Sequence, residues 1–297
     1  MRNGILLIDK PAGMTSAGVV ARVKRTLTAS RVGHAGTLDP DATGLLVILV
    51  NGATRVASYA ADGVKVYSGT MRLGLRTSTD DLAGEVLETC SDIPDFAEVG
   101  REATRFTGRI EQVPPKVSAV KIGGKRAHKL QRQGESFEIA PRTVQVDRFE
   151  VAPESPDTIR YLVECSPGTY VRALARDLGN ALGCGGAAAT IRRERSGHLS
   201  VQNAIPLEAV SWEALRDWSI IVPELPRVEL PTKLALSIHN GQRSSLREAA
   251  SLLQLQESFP RPGLLLYTAE KASESMGILA VTSDGSLEFE LNLGLKS

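Results

Sequence analysis

Cysteine is scarce in this chain of 297 residues: Cys90, Cys165 and Cys184 are the whole supply. Their spacing fits neither a disulfide framework nor a zinc cluster, which points to a reducing compartment. Aromatic residues make up only 4% of the chain, so each Tyr beside a polar motif carries weight. No apolar run nears the roughly 18 residues that a membrane-spanning helix requires. The apolar run at residues 5–8 is also too short for the core of a secretory signal. The cytoplasm is therefore the expected location. A strong charge of one sign is missing too, the formal net value being +1. Residues 33–36 lack the length and the Lys-Ser/Thr ending of a phosphate-binding P-loop. No His-x-Glu followed by Pro-Cys-x-x-Cys marks a zinc deaminase.

What remains is an ordinary folding composition, with 42% apolar and 23% charged residues. The length allows one large catalytic domain with a small appendage. Residues 5–8 read as a short buried strand followed by a turn at residues 9–13. Thr15 or Ser16 is suited to cap a helix whose apolar side carries Val19, Val20, Val23 and Leu27. Strands are predicted at residues 45–50, 64–73, 144–151 and 159–165. The turn Ser166-Pro167-Gly168-Thr169 leads into a helix reaching about Leu182, with Val171, Leu174, Ala175, Leu178 and Leu182 as its apolar stripe. Pro223, Pro226 and Pro231 mark the best boundary, which divides the chain into residues 1–222 and 223–297. In the second unit a helix over residues 244–255 and strands at 263–267, 277–281 and 287–293 are expected.

Charge is unevenly spread. Residues 116–132 hold six Lys or Arg and no acid, while residues 61–100 hold eight acids and three bases. The basic stretch, with Lys116, Lys121, Lys125, Arg126 and Lys129, suits phosphate contact, or else a solvated loop. His128 within it fits a satisfied structural histidine as well as a functional one. Asp39 lies in Gly33-His34-Ala35-Gly36-Thr37-Leu38-Asp39-Pro40 and is open to three readings: a turn residue, a catalytic carboxylate or a metal ligand. Tyr67 fits either core packing or stacking on a nucleobase. Lys65 shares its strand face and could meet a phosphate or an acid. Tyr170 and Arg172 could enter one pocket from an extended turn. Arg172 would then suit a buried acid, and otherwise would be a surface arginine beside a core tyrosine.

These blocks, taken together, resemble the bacterial TruB family of tRNA pseudouridine synthases, which act on uridine 55. The resemblance runs from Gly4-Ile5-Leu6-Leu7-Ile8-Asp9-Lys10-Pro11 through Gly33-His34-Ala35-Gly36-Thr37-Leu38-Asp39-Pro40 and Lys65-Val66-Tyr67. It continues in Gln112-Val113-Pro114-Pro115-Lys116 and in Gly168-Thr169-Tyr170-Val171-Arg172. It implies an α/β pseudouridine synthase fold with a central, largely antiparallel mixed sheet, and a small C-terminal PUA-like domain that binds RNA. It implies that Asp39 is the nucleophile and that Tyr67 stacks on the target base and assists proton transfer. Arg172 would pair with Asp39, and His34 would support the RNA after the uridine leaves its stack. Lys10 and Tyr170 would shape the site. The partner implied is the T-arm of tRNA, with no cofactor, no metal and no obligate protein partner. His128 stands where the family often has Tyr. An RNA N-glycosidase and a catalytically silent RNA-binding scaffold are the rival readings.

Overall fold

The six apolar residues 45–50 explain the centre of the molecule. In the computed structural model, which describes residues 2–118, 120–122, 125–126, 137–253, 263–270 and 275–292, they form a strand buried on both faces. Leu45, Val47 and Leu49 enter one apolar cluster, and Leu46, Ile48 and Val50 enter another on the opposite face. A continuous apolar run is what a strand packed on both sides demands.

Strand β1 (Gly4–Lys10) pairs antiparallel with β3 (Thr43–Val50), and β2 (Val32–Ala35) joins β3 as well. Strand β4 (Lys65–Leu73) is followed by a small hairpin, β5 (Leu75–Thr77) and β6 (Val86–Thr89). Next come β7 (Gly108–Gln112) and a second short pair, β8 (Lys121–Ile122) with β9 (Lys125–Arg126). The long strands β10 (Arg142–Ser155) and β11 (Thr158–Cys165) follow, then β12 (Gly186–Ser196), β13 (Leu199–Ser200) and β14 (Ile205–Pro206). The main sheet runs β14-β1-β3-β12-β4-β11-β10-β7. Only the β1–β14 and β3–β12 pairs are parallel, so the sheet is mixed and largely antiparallel.

Several sequence-based expectations change here. Asp9 and Lys10 are not turn residues. They continue β1 opposite Leu45 and Gly44, because the partner strand extends that far. Strand β10 runs on through Pro153 to Ser155, with a register shift between Pro153 and Ser155, and the turn into β11 lies at residues 156–157. Strands β2, β7 and β12 were not predicted. The helix Ser16–Leu27 is as expected, with Thr15 accepting from the Gly18 N–H at 2.9 Å and Val19, Val23 and Leu27 buried. The helix Val171–Ala181 buries Arg172 together with its apolar stripe, so Arg172 is not on a solvated face.

At Gly44 the strand pair β3–β12 depends on the missing side chain. Its φ is +96°, and a Cβ there would lie 2.3 Å from the Arg193 carbonyl oxygen. Gly44→Ala is therefore expected to destabilise the fold by about 3 kcal/mol, combining left-handed strain with an overpacked backbone contact. Urea unfolding of the variant beside the parent measures it, and an unchanged midpoint would refute the close approach.

The C-terminal sheet has the order β15 (Arg227–Leu230), β16 (Gly263–Ala269), β17 (Gly277–Val281) and β18 (Leu287–Asn292). Strand β15 lies in the proline-rich stretch that the sequence offered only as a break, and the helix Thr232–His239 follows Pro231 directly. The helix Ser244–Leu252 matches its expectation up to the last described residues. This unit docks on the main body. Leu266 and Ile278 join the cluster of Ile5 and Trp218, and Trp218 Nε1 donates to the Ser275 carbonyl at 2.9 Å. Tyr59 donates to Glu290 at 2.8 Å across the same seam.

Candidate active site

Asp39 sits on the loop between β2 and β3, and the loop is held from two sides. Ser16 Oγ, at the start of the first helix, accepts from the Leu38 N–H at 2.9 Å and donates to the Leu38 carbonyl at 3.1 Å. Lys10 donates to the carbonyls of Pro11, Met14 and Pro40 at 2.8, 2.6 and 2.8 Å. Those three bonds use all the donors of an ammonium group. Lys10 is fully buried, which pushes its pKa down while Asp41 and Asp39 pull it back up. Its task in the structure is to fix the loop, not to face the cavity.

Arg172 grips the loop's carboxylate. Its Nη2 donates to Asp39 Oδ1 at 3.1 Å, and its Nε lies 2.9 Å from Oδ2 but out of line for a hydrogen bond. The guanidinium side chain is 4% exposed and the Asp39 side chain 42%, so the anion opens to solvent while the cation holds it from below. Arg172 also donates to the carbonyls of Thr79 and Val117, at 2.9 and 3.0 Å, and lies 3.4 Å from Asp81. One turn along the helix, Arg176 pairs with Asp80 at 2.9 Å and donates to the Val113 carbonyl at 2.8 Å. Asp80 adopts φ +61°, a left-handed conformation rare for a residue with a side chain. Burial raises its pKa against the opposing pull of Arg176. The two arginines thus staple the loop at residues 79–81 beneath Asp39.

A cavity of about 360 Å³ opens over this pair, lined by Asp39, Lys65, Tyr67, Tyr170, Arg172 and Arg193, among others. Its size suits a nucleoside. Tyr67 stands where two apolar clusters meet, and burial raises the pKa of its phenol. Tyr170 occupies the extended residue before the helix, which lets it share the cavity with Arg172. Buried Gln112 fixes its backbone, accepting from the Tyr170 N–H at 2.7 Å and donating to its carbonyl at 3.1 Å. The guanidinium of Arg142 lies 4.6 Å from the Tyr170 ring centre, a cation–π contact. A second cavity of about 480 Å³, with Asp81, Leu82 and Val117 in its wall, lies across the Asp39–Arg172 pair. A larger groove, about 650 Å³, runs beside Arg243 and Arg247 in the C-terminal unit and contains none of these groups.

The other expected site residues divide. Lys65 does share the Tyr67 face, but it is buried and donates to the Asp62 carbonyl and Ser196 Oγ, both at 2.9 Å. Among the described residues it forms no ion pair with a carboxylate, in place of the expected acid; burial and Arg193 lower its pKa to about 8 against a pull from Asp62. His34 lies on β2 opposite Ile48, half-buried, and burial and Arg193 lower its pKa, favouring the neutral imidazole. It does not line the cavity over Asp39. Lys116 is exposed. Lys121, Lys125 and Arg126 lie on the β8–β9 pair, whereas His128 and Lys129 fall outside the described residues. Sequence reasoning missed Arg193, Asp81 and Gln112. The only early signal for Arg193 was the Thr190-Ile191 pair ahead of four charged residues, which conceals a strand.

The relatives of this chain place it in the pseudouridine synthase class of isomerases. The fold matches a chain of a Cbf5-Nop10-Gar1 complex with a TM-score of 0.68, at 24% identity over 98% of this chain and 84% of that one. A structure of an H/ACA RNP bound to a substrate RNA containing 2'-deoxyuridine gives 0.66 at 20% identity, covering 98% of this chain and 84% of the other. At such identities the likeness concerns the fold alone. The chain belongs to the TruB family, as its relatives show, and the model for the TruB family pseudouridylate synthase N-terminal domain matches residues 24–171. The tRNA pseudouridine synthase B of Mycobacterium bovis (strain BCG / Pasteur 1173P2) is 46% identical over 290 residues, 95% of this chain and 86% of that protein. That of Rhodococcus jostii (strain RHA1) is 48% identical over 217 residues, 71% of each chain.

Proposed function

We propose that this protein converts uridine 55 in the TΨC arm of tRNA to pseudouridine. The observation that carries this reading is the Asp39 carboxylate, ion-paired with buried Arg172 and open to a nucleoside-sized cavity walled by Tyr67. The target uridine leaves its stack and enters that cavity. The N1–C1′ bond breaks with Asp39 beside the sugar or the base. The uracil turns, C5 bonds to C1′, the C5 proton leaves and N1 gains one. Atoms and electrons balance without a redox partner, a phosphate donor or water, so no cofactor is required. Arg172 keeps Asp39 aimed, since a planar guanidinium matches a carboxylate. Tyr67 stacks against the base and stands near the proton that must move. Water has to be kept out while the uracil is detached, because hydrolysis would release it.

Around this site, Lys116, Lys121, Lys125, Arg126 and Lys129 are assigned to phosphate contacts, and His34 to supporting the opened RNA. Residues 1–222 are assigned as the catalytic domain and residues 223–297 as an RNA-binding appendage. A cytoplasmic location suits a tRNA-modifying enzyme. No helix among the described residues is long and apolar enough to cross a membrane.

Product analysis tests the reading. Purified protein with unmodified tRNA and EDTA is expected to yield pseudouridine at position 55, mapped by carbodiimide chemistry, with tRNA mass unchanged. Free uracil with an abasic site would make the protein a glycosidase. Bound but unaltered tRNA would make it a scaffold, and a strict metal requirement for chemistry would overturn the cofactor assignment.

A further inference from the structure

The cavity over Asp39 is unbalanced in charge, since Lys65, Arg172 and Arg193 line it against the one carboxylate. Arg172 is paired with that carboxylate, and Lys65 is tied to Asp62 and Ser196. Arg193 is the anomaly. It is 1% exposed, and among the described residues no carboxylate forms an ion pair with it. Burying a guanidinium without an anion is costly unless its donors are otherwise used.

They are used on the reacting side of the fold. Arg193 Nε donates to the Leu45 carbonyl at 2.7 Å, and Nη2 donates to the Gly36 carbonyl at 3.0 Å. Gly36 has φ +79°, and a Cβ there would lie 3.2 Å from Nη1, so the glycine lets the guanidinium lie against the Asp39 loop. Across the β4–β12 pairing Arg193 is the direct partner of Tyr67, so both side chains leave the same face of the sheet, and both line the cavity. A guanidinium can only donate. Toward such a neighbour a phenol oxygen can only accept, which leaves its own proton to point elsewhere.

We propose that Arg193 is a positioning residue for Tyr67: anchored by the Gly36 and Leu45 carbonyls, it donates to the phenol oxygen and turns the phenol proton toward the cavity. This rests on the reading that places Tyr67 against the reacting base. The groups facing the phenol are Cys165 and Tyr161 on β11, Asp39 on its loop, Lys65 on the same strand and Arg193 on β12. Burial, Cys165 and Asp39 all oppose its ionisation, and Arg193 favours it. Arg193 is thus the counterweight that keeps a buried phenol able to exchange its proton.

The test replaces tyrosine by 3,5-difluorotyrosine, whose phenol ionises in a range where the fold survives, and follows each signal by ¹⁹F NMR against pH. The chain has five tyrosines, and the Tyr67 signal is the one missing in Tyr67→Phe. In Arg193→Met the Tyr67 midpoint is expected to rise by about one pH unit or more. Arg193→Lys retains the cation without its fork, and a smaller rise is expected there, which also serves if Arg193→Met fails to fold. If Arg193 only braces the Gly36 and Leu45 carbonyls, the variants lose stability and the midpoint stays put; that result overturns the proposal. The titration needs no substrate, so it stands apart from the product assay. A fully active Tyr67→Phe would overturn the role of Tyr67 and leave the Arg193 contact untouched.

Discussion

Asp39→Asn is expected to lower single-turnover pseudouridine formation by more than about 10³-fold while leaving tRNA affinity within about threefold of the parent. The exchange keeps the size of the side chain and removes its charge. An amide neither attacks carbon usefully nor accepts a proton at neutral pH. The loop should hold, because its anchors lie elsewhere: Ser16 on Leu38, Lys10 on Pro40, and the buried flanks Leu38 and Ala42. Arg172 retains its bonds to the Thr79 and Val117 carbonyls and the nearby Asp81. Circular dichroism, tRNA binding and single-turnover yield, measured on the same preparation, separate chemistry from folding. A folded Asp39→Asn that makes pseudouridine at the parent rate would remove Asp39 from its assigned role.

How much of this site could be read from the chain depends on where each residue's partners lie. The apolar run at residues 45–50 and the capped helix after Thr15 declare themselves locally, and the structure keeps both. Strand β12 does not, because Ala187, Ala188 and Ala189 carry little strand preference and Arg192 to Arg195 look like a solvated face. Its charges are legible only once β4 lies beside it: Arg192 then pairs with Asp9 at 2.8 Å, and Arg193 disappears under the Asp39 loop. Burial also reverses the apparent meaning of lysine. In sequence Lys65 is open to a phosphate or an acid and Lys10 is expected to shape the site, yet both are buried and their ammonium groups bond to protein oxygens. The Asp39–Arg172 pair joins positions 133 residues apart. Neither local pattern nor charge count could have paired them; only the resemblance to known synthases did so in advance.

Arg172→Lys is expected to cost about 10²-fold in single-turnover rate and to destabilise the fold by about 2–3 kcal/mol. In the parent, one planar group serves Asp39, the Thr79 carbonyl and the Val117 carbonyl at once. A lysine head is a compact tetrahedral donor on an unbranched stem. It can follow the carboxylate or the carbonyls, but it cannot span all three, so a buried acceptor is left unmet or Asp39 loses its aim. Arg176→Lys provides the comparison, because Arg176 staples the same loop through Asp80 and the Val113 carbonyl. It makes no ion pair with Asp39. A similar loss of stability with a rate within about tenfold of the parent is expected for that variant. Urea unfolding and single-turnover rates at saturating tRNA place both variants on one plot of rate against stability. If the two fall on a common line, bracing of the loop at residues 79–81 accounts for Arg172. If Arg172→Lys falls well below Arg176→Lys at equal stability, the fork on Asp39 is the cause.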